Sequence, residues 1–306
     1  MDAILKLSSM GDIIHSLIVL PKLTHKVNFI VDNSFKEILE YHPLIENIIP
    51  IHLREIKKNK LLIFKELTRI KKLHYQNIYD LQGLLKSAIV GKMMSNNLIG
   101  YQNPREKIAS FFYNKKIKST KKYAIERYLE LFEIEDKEYL VNHPKLLFYR
   151  EKRFEFLSPT KKNIVFIIGA TWPCKKVSKE IWLTLANEIP ENIIIPYSNE
   201  KEKDEAFWIA KNSKNVLPIS LNLNDLKALI DKIDLLIGND TGPSFIAWAN
   251  NIKNIVLYGC TYNNKILENK FSKTIEVQNR KIDKNLDVIH LLEIEEILKA
   301  VDELLY

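Results

Sequence analysis

Short apolar runs alternate with amphipathic stretches along almost the whole chain. In the first half the strand-like runs are Ala3–Leu7, Val27–Val31, Asn47–Ile51 and Asn77–Leu81. Each precedes a segment with apolar residues three and four positions apart. These predict helices at about Asp12–Leu23, Phe35–Tyr41, Glu55–Leu73 and Leu84–Met94. Residues from about Pro104 to Phe132 predict two more helices. The second half repeats the alternation, with strands at Asn163–Ile168, Asn192–Pro196, Asn215–Ile219, Asp234–Gly238 and Asn254–Tyr258. Helices are expected between them, and a last one at about Leu291–Leu305. Strand and helix in strict alternation imply parallel strands joined by right-handed crossovers.

The charged stretch Glu133–Lys162, broken by Pro144 and Pro159, marks a linker. The expected class is α/β, with two Rossmann-like open parallel sheets facing across an interdomain cleft. The domains would be residues 1–150 and 151–306. Whether the last helix packs back on the first domain stays open. Ligands of such sheets bind at the carboxyl ends of the strands. Most of the eight glycines stand at those exits, among them Gly11, Gly83, Gly169, Gly238 and Gly242.

Charge and cysteine usage narrow the picture. A net charge of +8 over 306 residues favours anionic partners. Lysine and asparagine are abundant throughout, so charge alone carries little weight. The two cysteines, Cys174 and Cys260, are far apart, which argues against a disulfide framework and fits a reducing compartment. The first residues lack a basic and then apolar leader, and no apolar run approaches the ~20 residues of a membrane span. A cytoplasmic protein, or one peripheral to the inner face of a membrane, is expected. GxGxxG, Walker A, HExxH and CxxC are missing from the sequence. Dinucleotide, P-loop and zinc chemistry are therefore unsupported, and no metal site is expected. No aromatic platform accompanies the basic residues, so nucleic acid is not an expected partner.

Four loops carry candidate chemistry. In Ser8-Ser9-Met10-Gly11-Asp12 a carboxylate opens a helix after the first strand. Asp12 reads either as a helix cap or as a general base. Gly238-Asn239-Asp240-Thr241-Gly242-Pro243-Ser244 opens another helix. It reads either as an anion site on open backbone N–H groups or as a turn capped by Thr241. Gly169-Ala170-Thr171-Trp172-Pro173-Cys174-Lys175-Lys176 brings a hydroxyl and a lysine pair to a strand exit. Those lysines are either solvated or set against the charge of a leaving diphosphate. Glu202, after Pro196-Tyr197-Ser198-Asn199, either grips a ribose or complements a helix dipole. Basic residues from Arg54 to Arg127 crowd the first domain, where they read as a solvated face or as holders of phosphate and carboxylate groups.

Taken together, the four loops resemble the heptosyltransferases, a glycosyltransferase family of GT-B fold. The likeness extends to DLQGLLKSA (80–88), NPREKIASFFYNKK (103–116) and AIERYLELF (124–132). These middle segments are most similar to the members that add the first heptose to the Kdo region of the lipid A inner core. The resemblance implies an inverting, metal-independent transferase in lipopolysaccharide biosynthesis, with ADP-L-glycero-D-manno-heptose as co-substrate rather than cofactor. Another member with a heptose acceptor is the alternative. A non-catalytic basic protein on the same scaffold is a reading of a different class.

On that resemblance Asp12 is the base toward a Kdo hydroxyl, and Lys175 faces the departing diphosphate. Ser9, Gly11, Thr171, Glu202, Leu221, Asp240, Thr241 and Gly242 are implied on the donor side. Arg54, Lys57, Lys58, Gln82, Lys86, Arg105 and Arg127 are implied on the acceptor side. The two lobes are expected to close on the donor. Phe245, Cys260 and Glu55 depart from the family pattern, and the loop from Thr171 runs one residue short, which leaves Lys176 as a rival to Lys175.

Overall fold

The structure is a computed structural model that describes residues 1–59, 62–277 and 292–306, with the backbone alone at positions 54, 57 and 58. The chain divides into two compact units, Met1–Phe148 and Tyr149–Tyr306.

The first unit holds a six-stranded parallel sheet in the order β3-β2-β1-β4-β5-β6. The strands are β1 (Ala3–Leu5), β2 (Val27–Asp32), β3 (Ile45–Ile51), β4 (Ile78–Asp80), β5 (Leu98–Tyr101) and β6 (Lys115–Ile117). β1 lies between β2 and β4, and Ala3, Ile4 and Leu5 are fully buried. Burial on both faces explains why its sequence reads as an unbroken apolar run.

Helix α1 (Met10–Ser16) starts two residues earlier than the periodicity predicts and gives way to a 3₁₀ stretch at Leu17–Lys22. Pro21 lies within that stretch, where an α-helix would need its missing N–H. The predicted helix over 55–73 is two helices, α2 (Leu53–Lys58) and α3 (Leu62–Lys71). Asn59 ends the first in an extended conformation. α4 (Leu85–Met94) follows β4 as expected.

The two helices predicted over 104–132 are instead a 3₁₀ turn (Lys107–Phe112), strand β6 and helix α5 (Ala124–Leu131). β5 and β6 are strands that the sequence reading places within or beside helical segments. β6 is also an exposed edge strand whose lysines keep it from pairing further. A short helix, α6 (Lys137–Val141), occupies part of the predicted linker.

The second unit repeats the plan in the order β12-β11-β10-β7-β8-β9. Its strands are β7 (Asn163–Ile167), β8 (Asn192–Tyr197), β9 (Val216–Ser220), β10 (Leu235–Asn239), β11 (Asn254–Tyr258) and β12 (Ser272–Glu276). β12 is a mixed polar edge strand that the apolar pattern does not reveal. Helices α7 (Lys179–Glu188), α8 (Glu200–Lys211), α9 (Leu223–Ile230) and α10 (Ser244–Ala249) connect them. The last helix, α11 (Ile294–Leu305), buries Ile297, Val301 and Leu304 in the core of this second unit, against Trp182 and the sheet. Among the described residues, no helix is long and apolar enough to cross a membrane.

Both sheets reverse direction of growth beside their first strand, between β1 and β4 and between β7 and β10. The loops leaving those paired strands diverge to opposite faces. That opens a crevice at the carboxyl edge, the usual ligand position in sheets of this kind.

Candidate active site

In the first unit the crevice lies between the exits of β1 and β4. Ser9 is the N-cap of α1 and Asp12 its third residue. The Ser9 backbone N–H and hydroxyl both donate to Asp12 Oδ2, at 3.4 and 3.2 Å. Asp12 thus completes a capping box, as third residue rather than as the cap itself. The same bonds fix its carboxylate at the crevice. Gly11 is buried beside it.

Across the crevice Gln82 accepts a bond from the Ser8 N–H at 3.0 Å, so the two loops are tied together. The Gln82 turn is built on Asp80, which is fully buried. Its carboxylate accepts from the N–H groups of Gln82 and Gly83 and from the hydroxyls of Ser87 and Tyr113. Burial pushes the Asp80 carboxyl above its usual range, while those donors pull it back down. Burial likewise raises the Tyr113 hydroxyl, so it stays a proton donor to Asp80.

Gly83 has φ +65°, and a side chain there would press on Arg105 N and Pro104. Its carbonyl accepts the Glu106 N–H at 3.0 Å. The Glu106 carboxylate in turn accepts the Leu85 N–H at 2.7 Å. Three of the predicted acceptor residues, Gln82, Lys86 and Arg105, are brought to one turn by these bonds. Arg127 is on α5, over the Tyr101 ring at 5.0 Å. Its neighbour Tyr128 is buried, which pushes that hydroxyl up, and the Asp12 charge adds to the effect. The side chains of Arg54, Lys57 and Lys58 lie outside the described ones, and Lys60 outside the described residues.

In the second unit the crevice lies between β7 and β10, and a charged pair spans it. Lys175, in a 3₁₀ turn after β7, is ion-paired with Asp240 after β10. Asp240 is 8% exposed and also accepts the Thr261 hydroxyl at 2.8 Å. The Lys175 ammonium lies 4.9 Å from the centre of the Trp172 ring. Lys176 turns away and pairs with Glu205 on α8. The geometry therefore separates the two lysines that the spacing leaves as rivals.

Asn239 anchors both loops. It is fully buried, donates to Ile168 O at 2.8 Å and accepts the Val177 N–H at 3.3 Å. Gly238 is needed because a side chain there would collide with the Ser244 hydroxyl, which donates to Asn239 O at 2.6 Å.

The Asp240–Ser244 turn corrects one expectation. Thr241 does not cap the helix: Pro243 holds that position, and the Thr241 N–H donates to Asn239 O at 2.7 Å. The N–H groups of Ser244 and Phe245 are taken by turn carbonyls of Thr241 and Gly242. These two N–H groups at the helix start are thus satisfied within the turn.

The remaining donor-side residues follow the neighbouring strands. Thr171 is exposed on the loop after β7. Glu202, on α8, folds back to accept the N–H and hydroxyl of Ser198, each at 2.8 Å. It occupies the space that a side chain at Gly169 would need. Leu221, half-buried, leaves β9. Thr241 and Gly242, both half-buried, complete the edge.

A second correction concerns the cysteines. Cys174 and Cys260 form a disulfide with Cα atoms 5.4 Å apart, although 86 residues separate them. The sheet explains it: β10 alone lies between β7 and β11, so the loops after β7 and β11 are neighbours. Thr261 escapes the sequence reading for the same reason: it acts on a motif residue from the loop after β11. Among the described residues, no group of three or more His, Cys, Asp or Glu side chains is assembled as a metal site.

Two open parallel sheets, each with polar side chains gathered at its switch point, are the architecture of the GT-B fold. The model of glycosyltransferase family 9 (heptosyltransferase) matches residues 63–287, and the chain belongs to that family. Lipopolysaccharide heptosyltransferase 1 of Campylobacter coli is 32% identical over 99% of this chain and 98% of its own length. The Escherichia coli K12 protein of the same name is 28% identical over 84% of this chain and 87% of its own. The fold superposes on the E. coli heptosyltransferase WaaC with ADP at a TM-score of 0.80, with 21% identity and 99% of both chains covered. It also superposes on a family 9 glycosyltransferase from Veillonella parvula at a TM-score of 0.81, with 16% identity, covering 99% and 96% of the two chains.

Proposed function

We propose that this glycosyltransferase moves L-glycero-D-manno-heptose from ADP-heptose to a Kdo residue of the lipid A inner core, with inversion. The observation that carries the reading is the Lys175–Asp240 pair, buttressed by Thr261 and Trp172 at the switch point of the second sheet. A cation fixed there meets the diphosphate of a nucleotide sugar where negative charge grows as the glycosidic bond breaks. The proteins named above, one of them with ADP in its structure, support the choice of donor.

In this reading the second unit binds the donor. Glu202 takes the ribose hydroxyls, and Leu221 packs near the adenine. Thr171, Thr241 and Gly242 line the diphosphate, and Asp240 reaches the heptose hydroxyls. Lys175 supplies the positive charge, so the donor needs no metal ion. The first unit binds the acceptor through Gln82, Lys86, Arg105 and Arg127, with Arg54, Lys57 and Lys58 on the helix after β3. Asp12 takes the proton of the attacking Kdo hydroxyl. That oxygen bonds to the anomeric carbon as the bond to the diphosphate breaks, and ADP leaves. Ser9 orients the Asp12 carboxylate, and Gly11 lets the loop pass close to the donor. Because the acceptor is a lipid, the enzyme works at the inner face of the cytoplasmic membrane.

The test is a donor-choice assay with a Kdo-bearing lipid A acceptor, read as release of nucleotide diphosphate. ADP-heptose should be consumed while ADP-glucose and UDP-sugars are not. Consumption of a UDP-sugar in preference would overturn the reading. Turnover that requires a heptose already on the acceptor would move the chain to the second transferase of the series.

A further inference from the structure

The outer face of the first unit carries a feature that sugar transfer does not explain. Helices α3 and α4 and the 3₁₀ turn Lys107–Phe112 lie side by side on one face of the first sheet, with α4 in the middle. Their inner sides are apolar: Ile70, Ala88, Met94 and Ala109 join the core under the sheet. Their outer sides would ordinarily be polar. Instead they display Ile63, Phe64, Ile89, Ile108 and Phe111, with Phe64 73% and Phe111 83% exposed. Ile108 and Phe111 are three apart in a 3₁₀ turn, so their side chains stack on one edge.

Cations are interleaved with these apolar groups rather than confined to a rim. On α4 the exposed stripe reads Lys86, Ile89, Lys92, and Lys65 and Lys107 flank Phe64 and Ile108. Glu106, the acid nearest the turn, is engaged with the Leu85 N–H, and Glu66 is buried against Arg69. Protein–protein interfaces deplete lysine at their centres. A lipid–water boundary does the opposite: it takes apolar side chains into the acyl region and holds lysines against anionic headgroups.

We propose that this face docks on an anionic bilayer, with Ile108 and Phe111 inserted and Lys65, Lys92 and Lys107 set against acidic headgroups. The proposal rests on the reading that the acceptor is a lipid. It adds the surface that meets the membrane. α4 and the turn both begin at the Gln82–Arg105 cluster, so docking through them presents the acceptor loops to the same bilayer.

The test is sedimentation of the full chain with vesicles of phosphatidylglycerol mixed with phosphatidylcholine, and with phosphatidylcholine alone. The protein should sediment with the anionic vesicles, less at high salt, and the I108S/F111S double variant should bind about a hundredfold more weakly. The same variant should keep wild-type turnover on a delipidated, water-soluble Kdo acceptor. Vesicle binding unchanged by I108S/F111S would overturn the proposal. So would a dimer in solution that the variant dissociates while neither form binds vesicles, because the face would then belong to a second copy. Loss of turnover on the soluble acceptor by the variant would place these residues in the site and also overturn it. A wild-type protein that binds anionic vesicles but transfers no heptose would sustain the docking surface and count against the proposed function.

Discussion

Lys175 and Asp240, 65 residues apart, form an ion pair across the switch point of the second sheet, and Thr261 holds the carboxylate from a third strand exit. Asp240 is nearly buried, so its charge must be compensated, and Lys175 supplies the compensation. A lysine fixed in this way loses little freedom when a diphosphate approaches, which is what preorganised charge stabilisation requires. Lys175→Met should lower kcat by about 10²–10³-fold. Lys176→Met, which breaks a pair to Glu205 instead, should change it little. Steady-state rates of ADP release from the two variants decide between them. A larger loss in Lys176→Met would reverse the assignment.

Gly83 is the pivot of the turn that joins Gln82 to the Arg105 segment. Its φ of +65° is costly for a residue with a Cβ, and that Cβ would press on the Arg105 backbone. Gly83→Ala should destabilise the first unit by about 1–2 kcal/mol. It should also raise KM for the Kdo acceptor while leaving affinity for the donor unchanged. Denaturant unfolding and separate KM measurements check the two effects.

The Cys174–Cys260 bond ties the Lys175 loop to the Thr261 loop, and so braces both partners of Asp240. On the chain-entropy account, a crosslink enclosing a loop of this length stabilises by roughly 4.5 kcal/mol. Reduction, or Cys260→Ser, should lower the unfolding midpoint of the second unit and raise KM for ADP-heptose. Thiol titration of the unreduced and reduced protein reads the state of the pair. Equal denaturation curves with and without reductant would contradict the prediction.

His143 supplies a pH signature. Burial pushes its pKa below the ordinary value of 6.5, so the folded chain holds it neutral. As pH falls below about 6.5 the unfolded chain takes up a proton that the folded chain refuses. The contribution is therefore complete above the unfolded value and lost progressively toward acid. His143→Gln should flatten this decline of the thermal midpoint between about pH 7 and pH 5.5. An unchanged slope would remove His143 as its source.

The central strands were legible in the sequence because burial on both faces demands continuous apolar runs, as in β1, β7 and β10. The strand exits were legible because glycine and polar residues cluster there. β6 and β12 were not, since edge strands are partly polar and pair on one side. The break near Asn59 and the 3₁₀ stretch around Pro21 were hidden because helical periodicity continues through both. Within the site, motif residues were legible as types and spacings. Their braces were not: Thr261, Tyr113 and the paired cysteines are tertiary neighbours that no local pattern announces.

The most direct test of the account is Asp12→Asn. The substitution keeps the shape and the bonds from Ser9 but removes the proton acceptor. ADP-heptose affinity, measured by calorimetry, should stay within a few-fold of wild type, while kcat with Kdo-lipid A falls by about 10³–10⁴-fold. Wild-type turnover in Asp12→Asn would contradict the account, because the attacking hydroxyl would then lose its proton to some other group.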